Sequence, residues 1–239
     1  SFNYAKYFSN KNFLISGASS GIGKQLTKEL NGFNANTITI GRKKTLSRHH
    51  YFCDISDQNS LKEILDLINK KFSKLDGFVH SAGANKCKEI DSISEDDWDY
   101  GFNVNLKSSF IIIKKTKGLL KRSTSPSIVL VSSIASHRKS IVSGVQYASS
   151  KSGLDGLMRQ LSFEFGKHNI RINSLNPSQT LTEMLKKSMN KKQIQNLERQ
   201  IPLGRIASVK EQTNVIIFLL SNLSSYIHGA SIKVDGGQI

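Results

Sequence analysis

Tyr147 and Lys151 stand four positions apart in the run Tyr147-Ala148-Ser149-Ser150-Lys151. Positions i and i+4 of a helix share a face, so a helix here sets an ammonium group beside a phenol. A free Tyr titrates near about 10, too high for a base at neutral pH. A nearby cation favours the phenolate and lowers that value. A Tyr tuned in this way can give a proton to a carbonyl oxygen or take one from an alcohol. Upstream, Ile128-Val129-Leu130-Val131-Ser132-Ser133 reads as a strand that ends in two hydroxyls. Between the two lies a structural alternative, in which the serines only close the strand. Asn103-Val104-Asn105-Leu106 falls in a helical pattern, where Asn is unfavourable enough to want a reason.

A second feature with chemistry in it is Ser16-Gly17-Ala18-Ser19-Ser20-Gly21-Ile22-Gly23, after an apolar run and before a helical pattern. Glycines allow a tight turn and a close backbone approach to a pyrophosphate, and the helix start offers free N–H groups. An acidic residue about 20 positions on would bond a ribose 2′-hydroxyl, whereas an Arg would accept a 2′-phosphate. The sequence there is Ile40-Gly41-Arg42-Lys43-Lys44, with no carboxylate. The expected cofactor is therefore NADP(H) rather than NAD(H). The competing reading is a solvated basic loop, which suits Lys43 and Lys44 better than Arg42.

These residues need a frame. Residues 12–16, 36–40, 51–53, 75–81, 127–131, 170–175 and 232–234 read as strands. Residues 21–30, 60–72, 98–120, 147–165 and 210–220 read as helices; Leu61, Ile64, Leu65 and Ile68 show the spacing. A Lys-rich stretch over residues 181–200 reads as a mobile substrate lid, with Leu181, Met184 and Leu185 turned inward. Strands alternating with helices predict the α/β class: one domain with a doubly wound parallel sheet flanked by helices. Ligands of such sheets sit beyond the carboxyl ends of the strands, where both sets of residues fall.

The glycine spacing, the Tyr/Lys pair and the order of the remaining motifs resemble the short-chain dehydrogenase/reductase family. The family opens with Thr-Gly-x-x-x-Gly-Ile-Gly, and Ser16 keeps the hydroxyl of the Thr. Cys53-Asp54-Ile55 matches the place where an Asp holds the adenine amino group. His80-Ser81-Ala82-Gly83 stands for Asn-Asn-Ala-Gly, with the first two positions changed. Asn176-Pro177-Ser178-Gln179-Thr180-Leu181-Thr182 resembles Asn-Pro-Gly-x-x-x-Thr, which binds the nicotinamide carboxamide and phosphate. Ile201-Pro202-Leu203-Gly204-Arg205 and Val234-Asp235-Gly236-Gly237 also match. The segment between Arg42 and Asp54 is shorter than in most members, so the second crossover helix should be nearly absent.

The resemblance spans Asn12 to Gly237. It implies a single NAD(P)-binding, Rossmann-like domain over residues 1–239. It implies catalytic roles for Asn105, Ser133, Tyr147 and Lys151, with Ser133 bonding the substrate oxygen and Asn105 helping to hold a water that leads to the Lys. Ser132 and Asn103 are the competitors for those two places. The implied cofactor contacts are Gly17, Ser19, Ser20, Gly21, Ile22, Gly23, Arg42, Asp54, Ile55, Ser81, Ala82, Gly83, Tyr147, Lys151, Pro177, Thr180 and Thr182. A homotetramer (or homodimer) is implied too, with the helices carrying Asn105 and Tyr147 at one interface.

The implied activity is hydride transfer between a carbonyl and a secondary alcohol of a small-molecule substrate. The closing motifs look most like reductases of 3-oxoacyl thioesters, and a basic protein suits an acidic acyl-carrier partner. His137-Arg138-Lys139 follows Ser133 and leaves open an anionic sugar, nucleotide-sugar or carboxylate, or a set of cations that only meets solvent. A different class stays open as well: a catalytically silent, cofactor-binding regulatory protein.

Composition narrows the rest. The 34 Lys and Arg against 18 Asp and Glu give a formal charge of +16, which would suit nucleic acid or an acidic membrane surface. The cations are spread along the chain without interleaved aromatics, so a solvated basic surface is expected, with no nucleic-acid or membrane partner. No apolar run approaches the roughly 18 residues of a membrane span. The first residues lack a signal-peptide pattern, and a cytoplasmic location is expected. Cys53 and Cys87 form no zinc spacing, so no metal is expected.

Overall fold

Aliphatic and β-branched runs make the strands Asn12–Ser16 (β1), Asn36–Gly41 (β2), His49–Phe52 (β3), Gly77–His80 (β4), Ser127–Val131 (β5), Arg171–Pro177 (β6) and Ser231–Val234 (β7). The computed structural model describes residues 2–182, 185 and 190–239. All seven strands are parallel, in the order β3-β2-β1-β4-β5-β6-β7. β1, β4, β5 and β6 are buried almost throughout, as strands covered on both faces must be.

The covering helices are Tyr4–Phe8 (α1), Gly21–Gly32 (α2), Gln58–Lys71 (α3), Glu95–Phe102 (α4), Ser108–Lys121 (α5), Val145–Phe165 (α6), Lys191–Glu198 (α7) and Val209–Leu220 (α8). Successive strand residues point to opposite faces. Leu14 therefore joins Leu65, Ile112 and Leu154 of α3, α5 and α6 on one side. Its neighbours Phe13 and Ile15 join Phe8, Leu26 and Ile216 of α1, α2 and α8 on the other. The chain winds outward from β1 to β3 and then recrosses to β4 on the other side of β1. The loops after β1 and β4 consequently part, and this switch point is where a ligand crevice forms.

Three departures from expectation have local causes. The helix expected over residues 98–120 starts at Glu95, because the Ser94 hydroxyl accepts the Asp97 N–H at 3.1 Å and three acidic residues complement the helix dipole. It also changes to a π turn at Asn103–Lys107 before continuing as α5. The stretch over residues 181–200 contains the ordered helix α7, fixed by a capping box between Asn190 and Gln193. Leu181 is 37% exposed rather than turned inward, and its N–H bonds Ala207 O at 2.8 Å. Leu185 does pack inward, on the cluster of Leu197, Ile201 and Ile206. Met184 lies outside the described residues. α1 gave no periodic signal; Asn3 caps it, and Tyr4 and Phe8 stack on Phe33. The crossover between β2 and β3 is a helix-free loop, as the short spacing implies.

Candidate active site

Gly17 and Gly21 hold positive φ of 77° and 51°, the region that favours glycine. A Cβ on Gly17 would come within 2.4 Å of Ala82 N, and one on Gly23 within 2.4 Å of Gly17 O. The turn after β1 is thus pressed against the loop after β4. Ser81 stitches the two: its N–H and its hydroxyl both donate to Ser16 O, at 3.1 and 2.7 Å. The Ser81 side chain is thus engaged within the protein. The Ile55 side chain is buried in the core beside Cys53.

The remaining surface forms a cradle. Ser20 caps α2 without a side-chain bond, so the first N–H groups of the helix are left to a ligand. Ser19 and Ile22 lie half-buried along the turn. Opposite Gly21, the Thr182 methyl lies 3.3 Å from where a Cβ would sit. The Thr182 hydroxyl accepts the Leu185 N–H at 3.2 Å, which leaves its own proton to donate. Pro177 is buried at the end of β6, and the Thr180 hydroxyl turns back to Ser178 O at 3.2 Å. At the far end, a Cβ on Gly83 would stand 3.8 Å from both Asn105 Oδ1 and Lys151 Nζ. A glycine-walled groove that runs from an open helix start to a buried ammonium fits a dinucleotide, phosphates at α2 and ring toward Lys151.

At the end of β2, Arg42 is exposed and reaches Asp54 Oδ2 at 3.5 Å. Burial works upward on the Asp54 carboxyl, but bonds from Ser56 and the Arg42 charge outweigh it and hold the group below its usual range. The two residues expected at the adenosine end are therefore together.

The reaction centre gathers where β5 and α6 meet. Ser132 and Ser133 separate cleanly: the Ser132 hydroxyl is buried and donates to Lys151 O at 3.1 Å, whereas the Ser133 hydroxyl faces the Tyr147 phenol, near enough to pull on its ionisation. Tyr147 and Lys151 share a face of α6 as expected. Lys151, however, donates to Val131 O at 2.7 Å, and its Nζ lies 5.6 Å from the centre of the Tyr147 ring. The expected lowering of Tyr147 by the cation is not found: burial lifts the phenol above its ordinary value, and the Ser133 bond pulls against it. Burial also pushes the Lys151 ammonium down to about 8, opposed by the charge of Asp155.

Asn105 is fully buried in the π turn. Its Oδ1 accepts Ala84 N at 2.7 Å, and its Nδ2 donates to Ala84 O at 3.0 Å and Ser150 Oγ at 2.9 Å. Both amide protons are used in bracing the loop after β4 against α6, so the side chain has none left for a water. Asn103 is only a distant partner of Gln58, at 3.4 Å. His137 and Arg138 are drawn away from the cleft: His137 Nε2 lies 3.1 Å from Ser231 Oγ, and Arg138 donates to Gln238 O at 2.7 Å.

His80 is a buried participant that sequence reasoning recorded only as a changed motif position. Its Nδ1 meets Ser16 Oγ at 2.8 Å, and Nε2 has no partner. The signal for this pairing was the joint change of the family's Thr and Asn, to Ser16 and His80.

A dinucleotide cradle at the switch point, ending on Ser133, Tyr147 and Lys151, is the layout of an oxidoreductase of alcohols and carbonyls. A family model described as enoyl-(acyl carrier protein) reductase matches residues 17–238. The chain is 32% identical over 240 residues to the 3-oxoacyl-[acyl-carrier-protein] reductase FabG of Thermotoga maritima, covering 95% of this chain and 96% of that one. It is also 32% identical to the L-xylulose reductase of Caenorhabditis elegans, with 96% of both chains covered. A short-chain dehydrogenase family protein from Francisella tularensis superposes with a TM-score of 0.88 at 26% identity, over 96% of this chain and 99% of that one. The chain belongs to the short-chain dehydrogenase/reductase family. It is an oxidoreductase acting on CH–OH and C=O groups with a nicotinamide dinucleotide.

His80 yields a test of the cradle floor. Burial, helped by the Lys151 charge and opposed by the Asn105 and Val104 carbonyls, pushes its imidazole down to about 3. The unfolded chain, with an ordinary value of about 6.5, binds more protons between these two pH values. Stability is full above that window and is lost as pH falls through it. His80→Asn should flatten the loss, which for one proton reaches at most about 1.4 kcal/mol per pH unit. Denaturant melts at pH 7 and pH 4 read this; equal pH dependence in both proteins would contradict it.

Proposed function

We propose that the chain is an NADP(H)-dependent reductase of 3-oxoacyl thioesters, with Ser133, Tyr147 and Lys151 as its catalytic residues. The observation that carries the reading is the convergence of the Ser133 hydroxyl on the Tyr147 phenol beside the end of the glycine-walled cradle. Gly17, Ser19, Ser20, Gly21, Ile22 and Gly23 would hold the phosphates, Asp54 the adenine, and Ala82, Gly83, Pro177, Thr180 and Thr182 the nicotinamide end. When bound, the nicotinamide supplies or accepts the hydride.

The side chains do the rest. Ser133 Oγ holds the substrate oxygen, and Tyr147 Oη delivers a proton to it in reduction or removes one in oxidation. The lifted phenol is protonated at neutral pH and so is set to donate, which suits reduction. Lys151, buried near the ring, favours the phenolate as that proton leaves. Asn105 acts by bracing the loop after β4 rather than through its amide protons. A catalytically silent protein would have no reason to bring a half-buried Ser and Tyr hydroxyl together facing a cleft.

Arg42, with no carboxylate at the end of β2, supports the 2′-phosphate. The thioester rests on the match to 3-oxoacyl-carrier-protein reductases and on an apolar roof: Leu197, Ile201 and Ile206 pack with Val142, in the loop that follows Ser133. His137 and Arg138 are bonded into the scaffold, so the sugar alternative draws on the match to L-xylulose reductase rather than on those cations. A groove of about 430 Å³, lined by Phe102, Leu106, Phe110 and Leu157 of the α4–α5 stretch and α6, supports the homo-oligomer through those helices.

Tyr147→Phe should lower kcat with a 3-oxoacyl thioester by about 10²- to 10⁴-fold, the range of a general acid, while NADPH still binds. Turnover surviving in that variant would sink the assignment. Arg42→Asp should raise the KM for NADPH far more than that for NADH; an equal loss with both cofactors would contradict the 2′-phosphate contact.

A further inference from the structure

Behind the reacting face lies a buried carboxylate that the proposed chemistry does not use. Asp155 stands one helical turn beyond Lys151 on α6 and is 2% exposed. Its Oδ2 accepts from Ser136 Oγ at 2.6 Å and from Asn176 Nδ2 at 2.9 Å, and His137 Nε2 lies at 3.5 Å. Its Oδ1 is buried without a partner. A buried, incompletely bonded carboxylate is costly, and an aliphatic residue would pack on this helix without that cost.

The same two donors reach the main chain of Ser133. Ser136 Oγ lies 2.6 Å from Ser133 O, and Asn176 Nδ2 lies 3.2 Å from it. Ser133 Oγ meanwhile accepts Ala135 N at 3.1 Å, so the turn Ile134–Ser136 fixes the Ser133 side chain. Asn176 is itself held in β6, with Ser231 Oγ donating to its Oδ1 at 2.9 Å. The Ser136 hydroxyl has one proton for two acceptors at the same distance, Ser133 O and Asp155 Oδ2. Asp155 ties this group to α6 through a charge, beside the neutral bond that Ser152 Oγ of α6 donates to Ser136 O at 3.1 Å.

We propose that Asp155 is a positioning residue: through Ser136 and Asn176 it clamps the turn that carries Ser133 onto the helix that carries Tyr147 and Lys151. The inference rests on the carbonyl–alcohol reading of the site. A substrate oxygen must enter between Ser133 Oγ and Tyr147 Oη, and a displacement of about 1 Å in such a pair costs about a hundredfold in rate. The titratable groups around the clamp are Lys151 on α6, His137 after the turn and His80 at the end of β4; the Asp155 variants also remove the charge that supports the Lys151 ammonium, whereas Ser136→Ala leaves that charge in place and isolates the clamp.

Three variants and two readouts test it. Asp155→Leu removes every acceptor at similar size, and Ser136→Ala removes one arm if the first variant does not fold. Asp155→Asn keeps one acceptor oxygen and serves as the conservative rescue. Asp155→Leu should lower kcat about a hundredfold, with the KM for NADPH unchanged, and Asp155→Asn should recover part of the loss. Ionisation of Tyr147, followed by NMR of isotope-labelled tyrosine and assigned by Tyr147→Phe, should move to higher pH as the Ser133 bond loosens. Ser136→Ala should show both effects in weaker form. Unchanged kcat and unchanged Tyr147 ionisation in folded Asp155→Leu or Ser136→Ala would overturn the clamp. The NMR readout needs no turnover: a shifted Tyr147 in a protein that reduces no carbonyl upholds the clamp and defeats the reading of the reaction instead.

Discussion

The contact between Gly17 and Ala82 is the constraint on which the site depends. β1 and β4 are sheet neighbours, yet their chains leave in opposite directions around the sheet, so the loops that follow them diverge and open a crevice. Only where the two loops touch is their spacing fixed, and there a Cβ would collide at 2.4 Å. Ser81 bonds across the same seam to Ser16, and His80 meets Ser16 Oγ from below. The open start of α2, the floor at His80 and the wall at Gly83 all take their positions from this seam. The reaction centre is joined to it through Asn105, which links the loop after β4 to α6.

The site is also a place where charge is kept out of water. Lys151 is buried with a carbonyl as its partner, His80 is buried and neutral, and Asp155 is buried with one oxygen unpaired. Each is expensive alone. Together they are coherent: the carboxylate eases the ammonium, burial with help from the ammonium keeps the imidazole neutral, and burial lifts the phenol into its protonated form. Tyr147 is thus held protonated at neutral pH.

Much of this was legible in the residues. The strands at Asn12–Ser16 and Ser127–Val131 fall where the apolar runs placed them, because a strand buried on both faces leaves a continuous hydrophobic signature. The Tyr147/Lys151 spacing and the glycine turn carried the centre and the cradle. What was not legible depends on which of two similar groups the tertiary contacts choose. Ser132 and Ser133 are chemically identical in sequence, and only the position of α6 turns one inward to Lys151 O and leaves the other for Tyr147. The sequence leaves His137 and Arg138 open between substrate and solvent; in the fold, β7 and the C-terminal turn supply their partners. Asn105 stands out in the sequence as an Asn inside a helical pattern, while its bonds to Ala84 and Ser150 come from segments distant in sequence. The capping box of α7 was present as Asn190 and Gln193, masked by the lysines around it.

The central claim is that the cradle and the Ser133–Tyr147 pair carry out one hydride transfer to a carbonyl. The most direct measurement mixes the NADPH-loaded protein rapidly with a 3-oxoacyl thioester and, separately, with a keto-sugar, using ordinary and deuterium-labelled NADPH. A single turnover with the thioester should oxidise the bound NADPH and slow when the transferred hydrogen is deuterium. NADPH that binds but is oxidised by neither carbonyl would contradict it.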